Sequence, residues 1–84
     1  MTYSLFLDSH TLNQFGQLPA KDYELVRDAI AALGKEPRPV GCLRLVGRDG
    51  WHLRVGKYRV MYRIDDERKA ITVVFIGRAR DTYQ

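Results

Sequence analysis

The sequence predicts an α+β fold with the element order β-α-α-β-β-β-β: a mainly antiparallel sheet with a two-helix hairpin packed on one side. Three observations predict it. Residues 51–64 alternate in character on both sides of Gly56-Lys57, the period-2 signature of two strands joined by a tight turn. Tyr23, Val26, Ile30 and Leu33 recur at helical spacing between Pro19 and Gly34. Residues 70–76, Ala-Ile-Thr-Val-Val-Phe-Ile, form a nearly continuous apolar run rich in β-branched side chains. The 84 residues are expected to make one domain, 1–84, without repeats, low-complexity segments or linkers.

Residues 2–7 read as the first strand, with Tyr3, Leu5 and Leu7 on one side. Asp8, Ser9 and His10 can cap a short helix over about 10–17, because Asp and Ser accept from exposed backbone N–H groups. That helix turns Leu12, Phe15 and Leu18 inward. A longer helix follows over 19–34, with Leu25 and Ala29 beside its apolar stripe. Gly34 suits the position past its end, and Pro37 and Pro39 prevent continuation. Residues 42–46 are the next strand, and Gly47-Arg48-Asp49-Gly50 turns into Trp51.

The hairpin over 51–64 is the most specific stretch. Gly56 suits the first central position of a type II′ turn, which needs positive φ. With Gly56-Lys57 as the loop, Val55 faces Tyr58, Arg54 faces Arg59, Leu53 faces Val60 and His52 faces Met61. One face then carries Leu53, Val55, Tyr58, Val60, Tyr62 and Ile64. The other carries His52, Arg54, Arg59, Met61 and Arg63. Asp65 to Lys69 is a charged turn. Residues 70–76 fit a strand covered on both faces, and the first strand joins the edge of the four-strand meander.

A chain of this length buries roughly 60–65% of its unfolded surface, so a partner can add much to its stability. The 45% hydrophobic content argues against disorder. No apolar run approaches the roughly 18–20 residues of a membrane span, and the first residues do not read as a signal peptide. Cys42 is the single cysteine, which excludes an internal disulfide and fits a reducing cytoplasm, the expected compartment. One Cys and two distant His supply no ligand cluster, so no metal or other cofactor is expected. The formal charge is +4. It is lopsided: Lys21 and Arg27 are the basic residues before Lys35, and twelve lie from Lys35 onward. That imbalance points to an anionic partner of the strand-rich part.

Arg54 and Arg59 would sit directly opposite each other, where like charges destabilise a hairpin by up to about 1 kcal/mol. Two guanidiniums on a rigid sheet make a fork for phosphate, or they extend to water on a solvated face. His52 lies on the same face and titrates near neutral pH, so it is either a proton-transfer group or an exposed polar strand residue. Trp51 alternates onto the Leu53 face, toward the core.

Residues 51–62, then Asp65-Asp66, then Val74-Phe75-Ile76-Gly77-Arg78 and Tyr83, resemble the RelE/ParE superfamily of bacterial toxin-antitoxin toxins. Lys35-Glu36-Pro37 and the following Leu43-Arg44-Leu45 fit that family's passage from helix to strand. The resemblance covers essentially the whole chain, and the order and spacing of the motifs are more specific than any one of them. It implies a toxin neutralised by an antitoxin encoded beside it, with DNA bound only through the complex of the two.

It leaves three activities open. RelE-like members cut messenger RNA in the ribosomal A site; ParE-like members inhibit DNA gyrase; an inactive relative would only bind its antitoxin and help repress the operon. Under the first, the resemblance implies working residues at His52, Arg54, Arg59, Arg78 and Tyr83. Tyr83 would stack on a base or transfer a proton, unless it is a tail aromatic covering the core edge. Arg44, Lys57, Arg63 and Arg80 are further candidates for contacting RNA. One departure stands out: where many members carry His-Arg after the glycine, this chain has Arg78-Ala79, with Arg80 following.

Overall fold

The computed structural model, which describes residues 2–80, has the element order that alternation and helical spacing predict. The elements are β1 (Ser4–Leu7), α1 (Ser9–Gly16), α2 (Ala20–Leu33), β2 (Leu43–Arg44), β3 (Trp51–Val55), β4 (Tyr58–Asp65) and β5 (Ala70–Arg78). They form one five-stranded sheet in the order β1-β5-β4-β3-β2. The α+β class is as expected. The sheet is mixed, however, because β1 pairs with β5 in parallel, Leu5 opposite Ile71 and Leu7 opposite Val73. The direction follows from where α2 ends. The Tyr3 N–H donates to the Gly34 carbonyl at 2.7 Å, so α2 returns the chain to the end of the sheet where β1 began. The meander then alternates, and β3 and β5 run away from that end as β1 does.

Asp8 ends β1 and caps α1, its carboxylate accepting from the Thr11 N–H at 2.8 Å. The buried residue of α1 is Thr11, with Phe15 half-buried; Leu12, expected inward, is exposed. Phe15 stacks on Tyr23 of α2 at 4.3 Å between ring centroids, which holds the two helices together. From α2, Val26, Ile30 and Leu33 pack on Val55, Tyr58, Val60, Tyr62, Ile71, Val73 and Ile76 of the sheet. Gly34 is needed for close approach, since a Cβ there would meet the Tyr3 carbonyl oxygen at 3.2 Å. β2 is shorter than the expected 42–46, and Val46 beyond it is fully exposed.

The β3–β4 hairpin has the predicted register, Val55 opposite Tyr58 through His52 opposite Met61. Gly56 has φ +59° and Lys57 does not share a positive φ, which fits a type II′ turn and excludes type I′. Between β4 and β5 the register slips by one: Met61 faces Phe75 but Tyr62 faces Val73. Val74 is the extra residue of a β-bulge. Below it, Ile71 and Val73 face the helices; above it, Ile76 does. Residues 70–76 are therefore not covered equally on both faces, and Val74 and Phe75 turn together to the helix-free side.

Two contacts fix the far end of the sheet. The Tyr62 hydroxyl, fully buried, donates to the Pro37 carbonyl at 2.9 Å. Burial pushes this phenol above its ordinary value, so it stays a neutral donor. Tyr62→Phe leaves that carbonyl without its donor and is expected to cost about 1 kcal/mol, or roughly 4–8 °C in melting temperature. An unchanged Tm in calorimetry would mean that the bond contributes nothing.

Asp66 accepts from Arg38 at 3.0 Å and from the Tyr3 hydroxyl at 2.6 Å. The Arg38 bond first, then the Tyr3 bond, lower the Asp66 carboxyl from 3.8 to about 2. A carboxylate held below its ordinary value stabilises the fold above that ordinary value, and the contribution is lost as pH falls through the folded one. Between about pH 4 and pH 2 the wild type is expected to lose Tm faster than Asp66→Asn. Parallel acid melts of the two proteins would contradict this.

Candidate functional site

The helices cover one face of the sheet and leave the other open. Strand alternation puts His52, Arg54, Arg59, Met61 and Arg63 on the open face, opposite the core set of Val55, Tyr58, Val60 and Tyr62. Reading across the strands, the register makes two rows. One is Leu43, His52, Met61 and Phe75; the next is Arg54, Arg59 and Gly77. Arg59 is half-buried and has no hydrogen bond or ion pair among the described residues. Arg54, facing it, is exposed and folds its Nε back onto the Gly56 carbonyl at 2.9 Å. Both guanidiniums keep their charge, and among the described residues Arg59, like Arg63 on the same face, has no side-chain partner.

His52 is half-buried beside these arginines. Burial first, and then the Arg59 charge, hold its imidazole below the ordinary histidine value. It is therefore neutral at pH 7 and has an acceptor nitrogen. Arg63 lies on the same face but farther down, exposed, where it borders a groove of about 580 Å³ with Asp8, His10, Arg48 and Asp49.

The remaining candidates are not brought to this cluster. Arg44 pairs with Trp51 and so lies on the helix side, its guanidinium 5.3 Å from the indole centre. Trp51 packs against the core, with Arg38 also 5.2 Å from its ring. Lys57, in the turn, points to Asp22 of α2 at 3.8 Å. Arg78 pairs with Tyr58, again on the helix side. Arg80 is exposed beyond the strand, and Tyr83 lies outside the described residues.

The bulge at Val74 explains the position of Arg78. Without it, residues 72, 74, 76 and 78 would share the open face. With it, Phe75, Gly77 and Ala79 do. The Ala79 N–H donates to the Lys57 carbonyl at 2.9 Å, so the pairing carries one residue past the strand. The open-face position beyond Gly77 is thus occupied by Ala79. Phe75 lies on the Met61 face of the sheet, whereas the strand pattern had residues 70–76 covered on both faces. Its signal was Gly77, since glycine inside a strand marks a bulge or a close approach. A Cβ on Gly77 would meet the Phe75 ring at 2.6 Å.

The family model for the ParE toxin of the type II toxin-antitoxin system parDE matches residues 7–83. The chain belongs to this toxin family. Solved structures with the same fold place it in the wider RelE/ParE superfamily. The toxin of the archaeal RelE-RelB complex from Pyrococcus horikoshii OT3 is 25% identical with a TM-score of 0.84, over 96% of this chain and 100% of that one. The RelBE2 toxin-antitoxin complex from Mycobacterium tuberculosis matches at 23% identity and TM-score 0.81, over 93% and 99% of the two chains. The YoeB/ParE toxin from Agrobacterium tumefaciens matches at 18% and 0.76, over 89% and 96%. No curated protein sequence matches. The open face carries Arg54, Arg59 and Arg63, of which Arg59 and Arg63 have no side-chain partner among the described residues.

Proposed function

We propose that this toxin cleaves messenger RNA held in the ribosomal A site, and that a cognate antitoxin neutralises it. The observation that carries the reading is Arg59, an uncommitted guanidinium on a rigid strand beside a neutral, half-buried His52. In the reaction a ribose 2′-oxygen attacks the adjacent phosphorus and the bond from phosphorus to the 5′-oxygen breaks. The products are a 2′,3′-cyclic phosphate and a 5′-hydroxyl. His52 takes the 2′-hydroxyl proton, and the departing 5′-oxygen takes one from solvent. Arg59 holds the charge that grows on the non-bridging oxygens. Arg54 and Arg80 add positive charge at the rim of the site, and Arg63 meets phosphate farther along the open face; Arg44, over the Trp51 ring, and Lys57, paired with Asp22, lie away from this face and have no part in this reading. Tyr83 is kept as a base-stacking or proton-transferring group, and Arg78 as a charge reaching the site from the helix side.

A site without a matched acid and base is a poor free ribonuclease. It suffices where the ribosome orients the message, because positioning supplies several kcal/mol of the barrier. A second reading, gyrase inhibition, is favoured by the match to the ParE family model and by Ala79 where an arginine is expected. Toeprinting of programmed ribosomes with purified toxin tests the first, and DNA supercoiling by gyrase tests the second. Inhibition of supercoiling with no A-site cleavage would overturn the ribonuclease reading.

The antitoxin is expected to be acidic where it covers the Arg54/Arg59 face, given the +4 charge concentrated after Lys35. Its affinity should fall measurably between low and high salt as screening grows. A flat salt profile in calorimetric titrations would count against charge as the basis of recognition.

A further inference from the structure

We propose that Phe6, Thr72 and Arg63 form a second nucleotide subsite on the open face, where one unpaired base of the message stacks on the Phe6 ring and its phosphate meets Arg63. This rests on reading the open face as an RNA surface and places a nucleotide on it away from the cleaved linkage. The register sets the three residues in one row: Phe6 of β1 pairs with Thr72 of β5, and Thr72 pairs with Arg63 of β4. Their strand neighbours Leu5, Leu7, Ile71, Val73, Tyr62 and Ile64 pack in or against the core, so the row lies on the helix-free side. Phe6 is 53% exposed and its ring has no aromatic or cation partner among the described residues. The Thr72 hydroxyl makes no hydrogen bond among the described residues, and Arg63 is exposed without a side-chain partner. The row is concave. Phe6 and Thr72 line a groove of about 340 Å³, and Thr72 is shared with a groove of about 560 Å³ that Arg63 borders.

The occupant follows from the three chemistries. A ring, a hydroxyl and a guanidinium, set across two strand spacings of about 10 Å in all, answer to the base, ribose and phosphate of one nucleotide. An aromatic face stacks any base, and a guanidinium forks onto phosphate. The row holds no aliphatic side chain, so it offers a folded protein partner little to bury. Arg63 stands four residues from Arg59 on β4, about 13 Å along one face, so a single strand that passes Arg59 reaches Arg63 within a few nucleotides. The acidic turn beyond the row sets where that path ends. Asp65 accepts from the Arg68 N–H at 3.1 Å and Asp66 from the Arg38 guanidinium at 3.0 Å, so these carboxylates serve partners other than Arg63. With Asp49 and Glu67, which also border the Arg63 groove, they repel a phosphate placed farther out. Arg63 is thus the last phosphate contact at this end of the face.

The test uses programmed ribosomes and messages that carry an abasic nucleotide, one position at a time, on both sides of the cleaved linkage. Single-turnover cleavage by wild type, Phe6→Leu and Phe6→Tyr is compared, with thermal melts and antitoxin titrations of all three. Wild type is expected to lose about 5- to 150-fold in rate at one abasic position outside the cleaved linkage, the range of a single base stack. Phe6→Leu should be slower on the intact message by a similar factor and indifferent to that position. It should melt normally, because the ring it removes is outside the core. Phe6→Tyr keeps a ring and should restore the penalty at that position, which a role in packing alone would not do. A wild type insensitive at every position outside the cleaved linkage, or a Phe6→Leu that keeps the full sensitivity, overturns the subsite and leaves the ribonuclease reading standing. So does a Phe6→Leu that cleaves normally and loses only affinity for the antitoxin, since the ring would then serve a protein partner. If wild type cleaves none of the messages, subsite and ribonuclease reading fall together.

Discussion

Arg59→Ala is expected to lower A-site cleavage by about 100- to 1000-fold and to leave the protein folded. The loss is that of one group aimed at charge developing in the transition state, about 2.7–4 kcal/mol. The fold is spared for a geometric reason. Arg59 lies on the helix-free face, while its neighbours Tyr58 and Val60 point into the core, so truncation opens no cavity under α2. It also removes the charge facing Arg54, so the melting temperature should stay level or rise slightly. His52 gives a second readout. Burial and the Arg59 charge both lower its pKa, so removing the charge should raise it toward the ordinary value, visible by NMR titration. The rate measurement, the melt and the titration separate the outcomes. Normal melting with wild-type cleavage would remove Arg59 from the site. An unfolded variant would mean that Arg59 supports the core from a face assigned to the wrong side.

The hairpin was legible in the sequence because period-2 alternation, a glycine at the turn and a two-residue loop leave one register open. The core face of α2 was legible for the same kind of reason: Val26, Ile30 and Leu33 recur at one helical spacing. α1 was read less well. Eight residues give too few turns for a stripe to declare itself, and Thr11 rather than Leu12 faces inward. The candidate site was half legible. His52, Arg54, Arg59 and Arg63 come together because they lie on one hairpin whose faces alternate without interruption. Arg78 and Phe75 were misplaced by one cause. A bulge inserts a single residue, and a single residue turns every later side chain to the other face. The face of Arg44 was not legible, because a two-residue edge strand has no alternation of its own. Its face is set by pairing with Trp51, which appears only when the chain is folded.

Ala79→Arg is expected to raise cleavage, by up to about 100- to 1000-fold if the position contributes as one charge-stabilising donor. The bulge makes this substitution informative. Past Val74, the open face continues through Phe75 and Gly77 to Ala79, and the bond from the Ala79 N–H to the Lys57 carbonyl keeps the backbone in register there. A guanidinium introduced at 79 would therefore emerge on the face of Arg59, whereas Arg78 points to Tyr58 and the helices. The cost in stability should be small, a few tenths of a kcal/mol up to about 1 kcal/mol for a new cation beside Arg59. Arg80 decides the size of the gain. If Arg80 already reaches the phosphate from beyond the strand, Ala79→Arg adds little and Arg80→Ala alone slows cleavage. If it does not, Ala79→Arg accelerates cleavage and Arg80→Ala changes it little. Cleavage rates of the two variants and of their combination on programmed ribosomes separate these cases. A toxin that inhibits gyrase would show neither effect: its supercoiling inhibition would persist in Ala79→Arg, and no variant would cut the message. A folded Ala79→Arg that matches wild type, in a background where Arg80→Ala is also silent, would show that neither position 79 nor Arg80 contributes a charge to cleavage.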